Sequence, residues 1–229
     1  KMVSITSEHF TDGDLAQLSP LSGLLRLRLE VPNITNEGLR EIAQMKNLRE
    51  LYLLRTKRLT DEGIRNLGSL KSLEFLCIYD TGIHGGTLTK NVAPNLKELW
   101  ASGNWIDDRG TKMIATLDKL EVLDLAGNPI TDTGVSHLKE LTCLRYLSLD
   151  VTKVTDTGLS SLRDLPKLRV LSAMGTQVTE EGLAAFKGRL GLLHQWETGE
   201  PVKSVGSEVI LQELKRRKRA IPANLSPPE

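Results

Sequence analysis

Aromatic residues are scarce in this chain of 229 residues: three Trp, three Tyr and three Phe. So few rings cannot fill the interior of a chain this long, and the core has to be aliphatic. Cysteine is scarcer still, with Cys77 and Cys143 the two copies. That excludes a disulfide framework, and two free thiols favour a reducing, cytoplasmic compartment. Net charge is close to absent, +1 from 30 basic and 29 acidic residues, so no global field selects nucleic acid or an anionic membrane. No apolar run approaches the ~20 residues that span a bilayer, and the opening segment KMVSITSEHF lacks the apolar stretch of a secretory signal. The four histidines, His9, His84, His137 and His194, are scattered, and none has the H-E-x-x-H spacing of a metal site. Neither a phosphate-cradling P-loop nor a G-x-S-x-G nucleophile elbow occurs. These absences predict a non-enzyme with no metal, cofactor or small-molecule substrate.

Leucine is abundant, and it recurs on a fixed schedule. Units start at Leu24, Leu48, Leu73, Leu96, Leu120, Leu144 and Leu168, at intervals of 23 to 25 residues. The plainest copies are LEVLDLAGNPITDTGVSHLKEL from Leu120 and LRYLSLDVTKVTDTGLSSLRDL from Leu144. A partial unit precedes them (Val3, Ile5, Phe10, Leu15, Leu18, Leu21) and a degenerate one follows at Leu192. A repeat of this length means stacked supersecondary units sharing one core.

Counting from the first Leu of each unit, positions 4 and 6 are apolar and alternate with variable positions 3, 5 and 7, the signature of a half-buried strand. Positions 16, 19 and 22, such as Leu159, Leu162 and Leu165, form a short helical stripe. Between them lies Thr-Asp-x-Gly. Thr131, Thr155 and Thr179 are suited to N-cap the helices, and the acid behind each suits the positive end of the helix dipole. The glycine, for example Gly134 or Gly158, lets the helix approach its neighbours closely. Position 9 holds Thr56, Thr81, Asn104, Asn128, Thr152 and Thr176, polar groups able to satisfy loop backbone that no ladder reaches. The Asp-rich turns (Asp107-Asp108, Asp132, Asp156) recur at helix starts, so capping explains them more simply than calcium does.

On these residues the chain resembles the leucine-rich repeat proteins. Its Thr-Asp-x-Gly-Leu turn is similar to the 24-residue repeats of bacterial, planctomycete-like proteins and to F-box-associated repeats. The resemblance covers about Val3 to Leu193 and implies an α/β solenoid, a horseshoe with a parallel sheet on its concave face and short helices on its convex face. It implies one repeat domain over 1–196, followed by a C-terminal extension over 197–229. It also implies a surface that works by binding protein or peptide.

Positions 3, 5 and 7 are the ones the scaffold leaves free, with 8 and 10 at their edge. Six of the nine aromatics fall there: Tyr52, Phe75, Tyr79, Trp100, Trp105 and Tyr146. Half-exposed, five of them would present roughly 400–600 Å² of apolar surface, enough for the centre of an interface. Arg28 and Arg55 flank the cluster on one side, Asp124 and Asp150 on the other, as an orienting polar rim. The expected function is therefore recognition of a protein or peptide partner on the concave face, by a monomer.

Two alternatives come from the ends and the irregularities. The first strand has no capping element before it, which suits a scaffold or adaptor associating through that end. Lys215–Arg219 is a run of five bases on an expected helix from Ser207 to Ala220, and could contact nucleic acid or anionic lipid. Trp196 is expected to cover the last hydrophobic layer, with a linker at 197–206 and a Pro-rich tail after Ala220. The third unit departs most: its turn reads Thr81-Gly-Ile-His84-Gly85-Gly86-Thr87, and its weak helical segment ends at Pro94. A convex-side distortion is expected there, in preference to an oxyanion-binding His-Gly-Gly.

Overall fold

The computed structural model describes residues 1–18, 23–186 and 191–193. Trp196, the linker, the expected basic helix and the tail lie outside the described residues. Nine strands form one parallel sheet in strict chain order: β1 (Met2–Thr6), β2 (Arg26–Glu30), β3 (Glu50–Leu54), β4 (Phe75–Tyr79), β5 (Glu98–Trp100), β6 (Val122–Asp124), β7 (Tyr146–Ser148), β8 (Val170–Ser172) and β9 (Gly191–Leu193). Register keeps every template position stacked on itself, as in Leu51 against Leu76, Leu99 against Leu123 and Leu123 against Leu147. The 25- and 23-residue intervals therefore change only the connections and leave the strands aligned.

Short helices follow the strands: α1 (Asp12–Ala16), α2 (Asn36–Ile42), α3 (Asp61–Asn66), α4 (Asp108–Ile114), α5 (Asp132–His137), α6 (Asp156–Ser160) and α7 (Glu180–Ala184). They are too short to persist alone. Burial holds them: Leu27, Leu51, Leu123 and Leu147 from position 4 and Leu39, Ile64, Val135 and Leu159 from the helices have no exposed surface, each contributing about 1.5–3 kcal/mol before entropy. Thr131, Thr155 and Thr179 cap their helices as the sequence predicts, and Thr35 caps α2 in the same way, each accepting from a backbone N–H of the first turn.

The Asp that opens each of α4, α5 and α6 does more than suit a dipole. Asp108 accepts from the backbone N–H of Thr131 at 2.9 Å and from its hydroxyl at 2.6 Å. Asp132 does the same for Thr155, at 2.7 Å on both bonds, and Asp156 for Thr179, at 2.7 and 2.6 Å. Each carboxylate thus clamps its own unit to the cap of the next. This also explains the glycine. A Cβ on Gly134 would sit well inside contact distance of Asp108 Oδ1 and 2.9 Å from the Ile130 Cγ2 methyl. Gly134→Ala should therefore cost about 2–4 kcal/mol, by overpacking plus the disturbed clamp. Chemical denaturation checks this; a loss below ~1 kcal/mol would show that the clamp yields freely.

In the third unit no helix forms between β4 and β5. Asp61 Oδ1 accepts from the N–H groups of His84 and Gly85 at 3.2 and 3.0 Å, and its Oδ2 from Gly86 at 2.8 Å. The backbone donors of His-Gly-Gly are thereby occupied by the previous unit, and the segment is the convex-side distortion expected. Ile83, Leu88 and Ala93 still enter the core.

Candidate partner-binding surfaces

Alternation along the strands sends positions 4 and 6 to the helices and positions 3, 5 and 7 to the opposite face. The six aromatics sit in the expected columns, but their exposure differs from expectation. Tyr52 is 3% exposed, Phe75 1% and Trp100 5%; Tyr79 and Tyr146 are half-buried. The free apolar patch expected from the sequence is therefore not presented. Instead these side chains form a second hydrophobic cluster with Leu54, Cys77 and Val122, separate from the main core. Tyr52 and Phe75 lie 4.6 Å apart between ring centroids, tilted by 36°. Trp100 and Tyr146 lie 5.9 Å apart and stacked, on strands two apart with β6 between them. Aromatics in neighbouring columns bury one another's flanks, which a column-by-column reading of the sequence cannot register.

The charged flank is likewise engaged. Arg28 and Arg55 both pair with Glu30. Asp150 Oδ1 accepts from the Ser172 hydroxyl at 2.6 Å and from the Met174 N–H at 2.7 Å. Asp124 Oδ1 accepts from the Ala126 N–H at 3.0 Å. Burial pushes the Asp124 carboxyl up to about 6, and the nearby Asp150 charge adds to that. Burial, then Asp124, pushes the Cys77 thiol up to about 12. The Tyr146 phenol is held well above its usual range by burial and by the same two carboxylates. The middle of the sheet face is a buried patch with two neighbouring carboxylates, Asp124 and Asp150.

What is open lies along the edge where the strands end. Trp105 is 62% exposed and Val151 67% exposed. They line an open groove of about 650 Å³ with Pro129, Lys57, Lys153 and Asp80. The groove is built from positions 8, 9 and 10 of successive units. Position 8 is left-handed in the six units from β3 to β8: Gly103, Gly127 and Gly175 have φ of 69°, 65° and 67°, and Arg55, Asp80 and Val151 take the same conformation at 54°, 52° and 54°. A β-branched residue is strained there, and such strain tends to mark functional segments. Position 9 is the buried floor. Asn104 Nδ2 donates to the carbonyls of Ile78, Ala101 and Ser102, and its Oδ1 accepts from the N–H groups of Thr81, Gly82 and Ile83. Asn128 repeats the donor half of that pattern one unit on. The sequence singled out Trp105 but missed Val151, Pro129, Lys57 and Lys153. Reading columns 8 and 10 as closely as column 5 would have found them.

Cys77 and Cys143 are free thiols. Among the described residues no cluster of His, Cys, Asp and Glu could hold a metal ion, and no helix is long and apolar enough to cross a membrane.

A family model described as leucine-rich repeat matches residues 118–139, which span β6 and α5. No curated protein sequence matches the chain. Among solved structures it is similar to internalin C2 from Listeria monocytogenes, with 22% identity over 85% of this chain and 80% of that one and a TM-score of 0.65. A second internalin of that organism, inlF, shares 22% identity over 81% of this chain and 58% of its own, with a TM-score of 0.58. At such identity the likeness is one of architecture: the chain folds as an α/β leucine-rich-repeat solenoid.

Proposed function

We propose that this chain is a non-catalytic protein- or peptide-binding module that takes its partner on the concave side, anchored at the open edge by Trp105 and Val151. The carrying observation is that Trp105, 62% exposed beside an equally open Val151, lies on a groove already shaped by the repeat. Tryptophan is a frequent energetic anchor of interfaces, and a rigid concave site limits the entropy lost on binding. Lys57, Asp80 and Lys153 give the groove a polar rim, with Lys57 and Asp80 paired at 3.2 Å. Tyr79 and Asp150 continue this surface inward on the sheet. The Thr-Asp-x-Gly-Leu turns support placing the repeats with the 24-residue bacterial type.

The test is to pan a random peptide library against the immobilised chain, then measure the selected peptides against Trp105→Ala. Their affinity should fall at least ~30-fold, about 2 kcal/mol. Peptides that bind both proteins equally would remove Trp105 from the site, and failure to select any specific peptide would count against the binding role itself.

The adaptor reading has its own support. Met2 and Leu25 are 49% and 40% exposed and line an open groove with Arg26 and Glu74. Exposed apolar groups over the starts of β1 and β2 invite association. Sedimentation at ~100 μM, a concentration that populates any complex of micromolar Kd, decides it; a strict monomer rejects it.

A further inference from the structure

The open edge of the sheet presents its side chains at a fixed interval. Column 10 runs Lys57, Gly82, Trp105, Pro129, Lys153 and Gln177 through consecutive units, and the strands that set its spacing stack about 4.8 Å apart. Trp105 and Lys153, two units apart, are therefore separated by roughly 9.6 Å, and Lys57 lies as far from Trp105 on the other side. Between Asp80 and Val151, column 8 holds Gly103 and Gly127, both exposed. Without side chains there, a trough opens beside Trp105. The Tyr79 ring flanks it, 3.7 Å from where a Gly103 Cβ would stand. Two polar groups on this edge are unused. Neither Trp105 Nε1 nor Lys153 Nζ has a hydrogen bond or ion pair among the described residues, whereas Lys57 is shared with Asp80.

We infer that the ligand of this groove is a proline-rich segment in the polyproline II conformation, with a proline on Trp105 and a Glu or Asp three residues away on Lys153. The inference rests on the edge groove being the binding site, and adds what that groove selects. Period decides the conformation. A polyproline II helix has three residues per turn and rises about 3.1 Å per residue, so its same-face residues recur every ~9.3 Å, close to the ~9.6 Å of two units. A β-strand repeats its face every ~6.7 Å, which matches neither one unit nor two. Two turns of an α-helix rise ~10.8 Å, and its carbonyls are committed internally. Polyproline II leaves every carbonyl free, so one can accept from Trp105 Nε1. Proline-rich segments dock in aromatic-lined grooves, and the trough over Gly103 and Gly127 gives the ring room. Charge selects the neighbour. Lys153 has no carboxylate partner among the described residues, so an acid brought to it adds an attraction without breaking an existing pair. Such a segment is also extended before it binds, which limits the entropy lost on binding.

Fluorescence anisotropy of the full chain with labelled heptapeptides tests this. The probe is Glu-Pro-Pro-Pro-Pro-Pro-Glu, in which either chain direction sets a carboxylate three residues from the central proline. One control has glycine in place of the central proline, and the other has lysine at both ends. The probe should bind with a Kd below about 1 mM, and roughly fivefold or more tighter than either control. Lys153→Glu should weaken the probe by about fivefold or more and strengthen the lysine control, a gain that an unfolded variant cannot produce. Raising the salt concentration should weaken the probe on the wild type more than on Lys153→Glu. Equal affinity of the probe for wild type and Lys153→Glu overturns the inference. So does equal affinity for the probe and its glycine control, or a Kd above about 1 mM. Panning separates this outcome from the groove itself. Selected peptides that depend on Trp105 yet carry no proline three residues from an acid leave the groove standing and overturn its proposed ligand. Selected peptides that ignore Trp105 remove the groove, and this inference with it.

Discussion

Replacing Asn104 by Ala should lower the unfolding free energy by about 4 kcal/mol, the largest loss from any single side chain on the position-9 ladder. The carboxamide sits at 4% exposure and joins three strand and loop carbonyls to three loop N–H groups, as well as accepting from the Thr81 hydroxyl at 2.8 Å. Alanine leaves several of these buried groups without partners, each costing about 1–3 kcal/mol, less what an entering water recovers. A graded series makes the claim specific. Asn128 Oδ1 accepts from the Ile106 N–H alone, so Asn128→Ala should cost roughly half as much. Thr152 makes one bond, to the Leu149 carbonyl at 2.6 Å, so Thr152→Val should cost about 1 kcal/mol. Asn104→Thr should fall between, because threonine at this position keeps the single donor. Because the asparagine ties the third unit to the fourth, its loss also weakens their coupling, and stability in a repeat array depends on such neighbour contacts. Urea unfolding should therefore broaden as well as shift, with a lower m-value. Equal losses for Asn104→Ala and Thr152→Val would refute the ladder account.

The repeat made the scaffold legible from sequence because each feature it needs is local and recurs. Positions 4 and 6, the Thr caps and the position-9 ladder are all stated by a single unit and repeated. The carboxylate clamp was half legible: Asp108, Asp132 and Asp156 were visible at helix starts, but their partners lie 23 residues on. Only stacking, not helix capping, explains why the acid and the glycine travel together. The sheet face was misjudged on exposure because burial there depends on what lies above the side chains, and the repeat frame carries no information about that. Phe75 and Trp105 show both sides of the error. The sequence placed both on one open surface, yet one is 1% exposed and the other 62% exposed. Val151 escaped notice for a different reason. In sequence it is an ordinary valine after an aspartate, and its significance lies in a backbone angle of 54° that its glycine counterparts adopt without strain.

Asp124→Asn should make the protein more stable at neutral pH and equally stable near pH 3. The carboxyl is 4% exposed and titrates at about 6 in the folded chain against an ordinary value of 3.8. The cause is chiefly burial, reinforced by Asp150, while the Ala126 N–H and the hydroxyls of Ser102 and Ser148 act the other way. A raised acid binds its proton more tightly when folded. Below pH 3.8 both states are protonated and the site costs nothing. Between 3.8 and 6 the unfolded chain releases the proton while the folded chain keeps it, so stability falls as pH rises. Above 6 the folded protein carries a buried charge, and the deficit levels off at roughly 3 kcal/mol. Asparagine retains the acceptor for Ala126, and the two serine hydroxyls can turn to accept from its amide. The charge goes and the hydrogen bonds stay. Other groups titrate over this range, so the informative quantity is the difference between variant and wild type measured at each pH. It should climb from near zero at about pH 3 to about 2–3 kcal/mol by pH 7 and then stay flat. A difference that is constant with pH would mean that Asp124 keeps an ordinary carboxylate in the folded state, and that the middle of the sheet face is wetter than its burial implies.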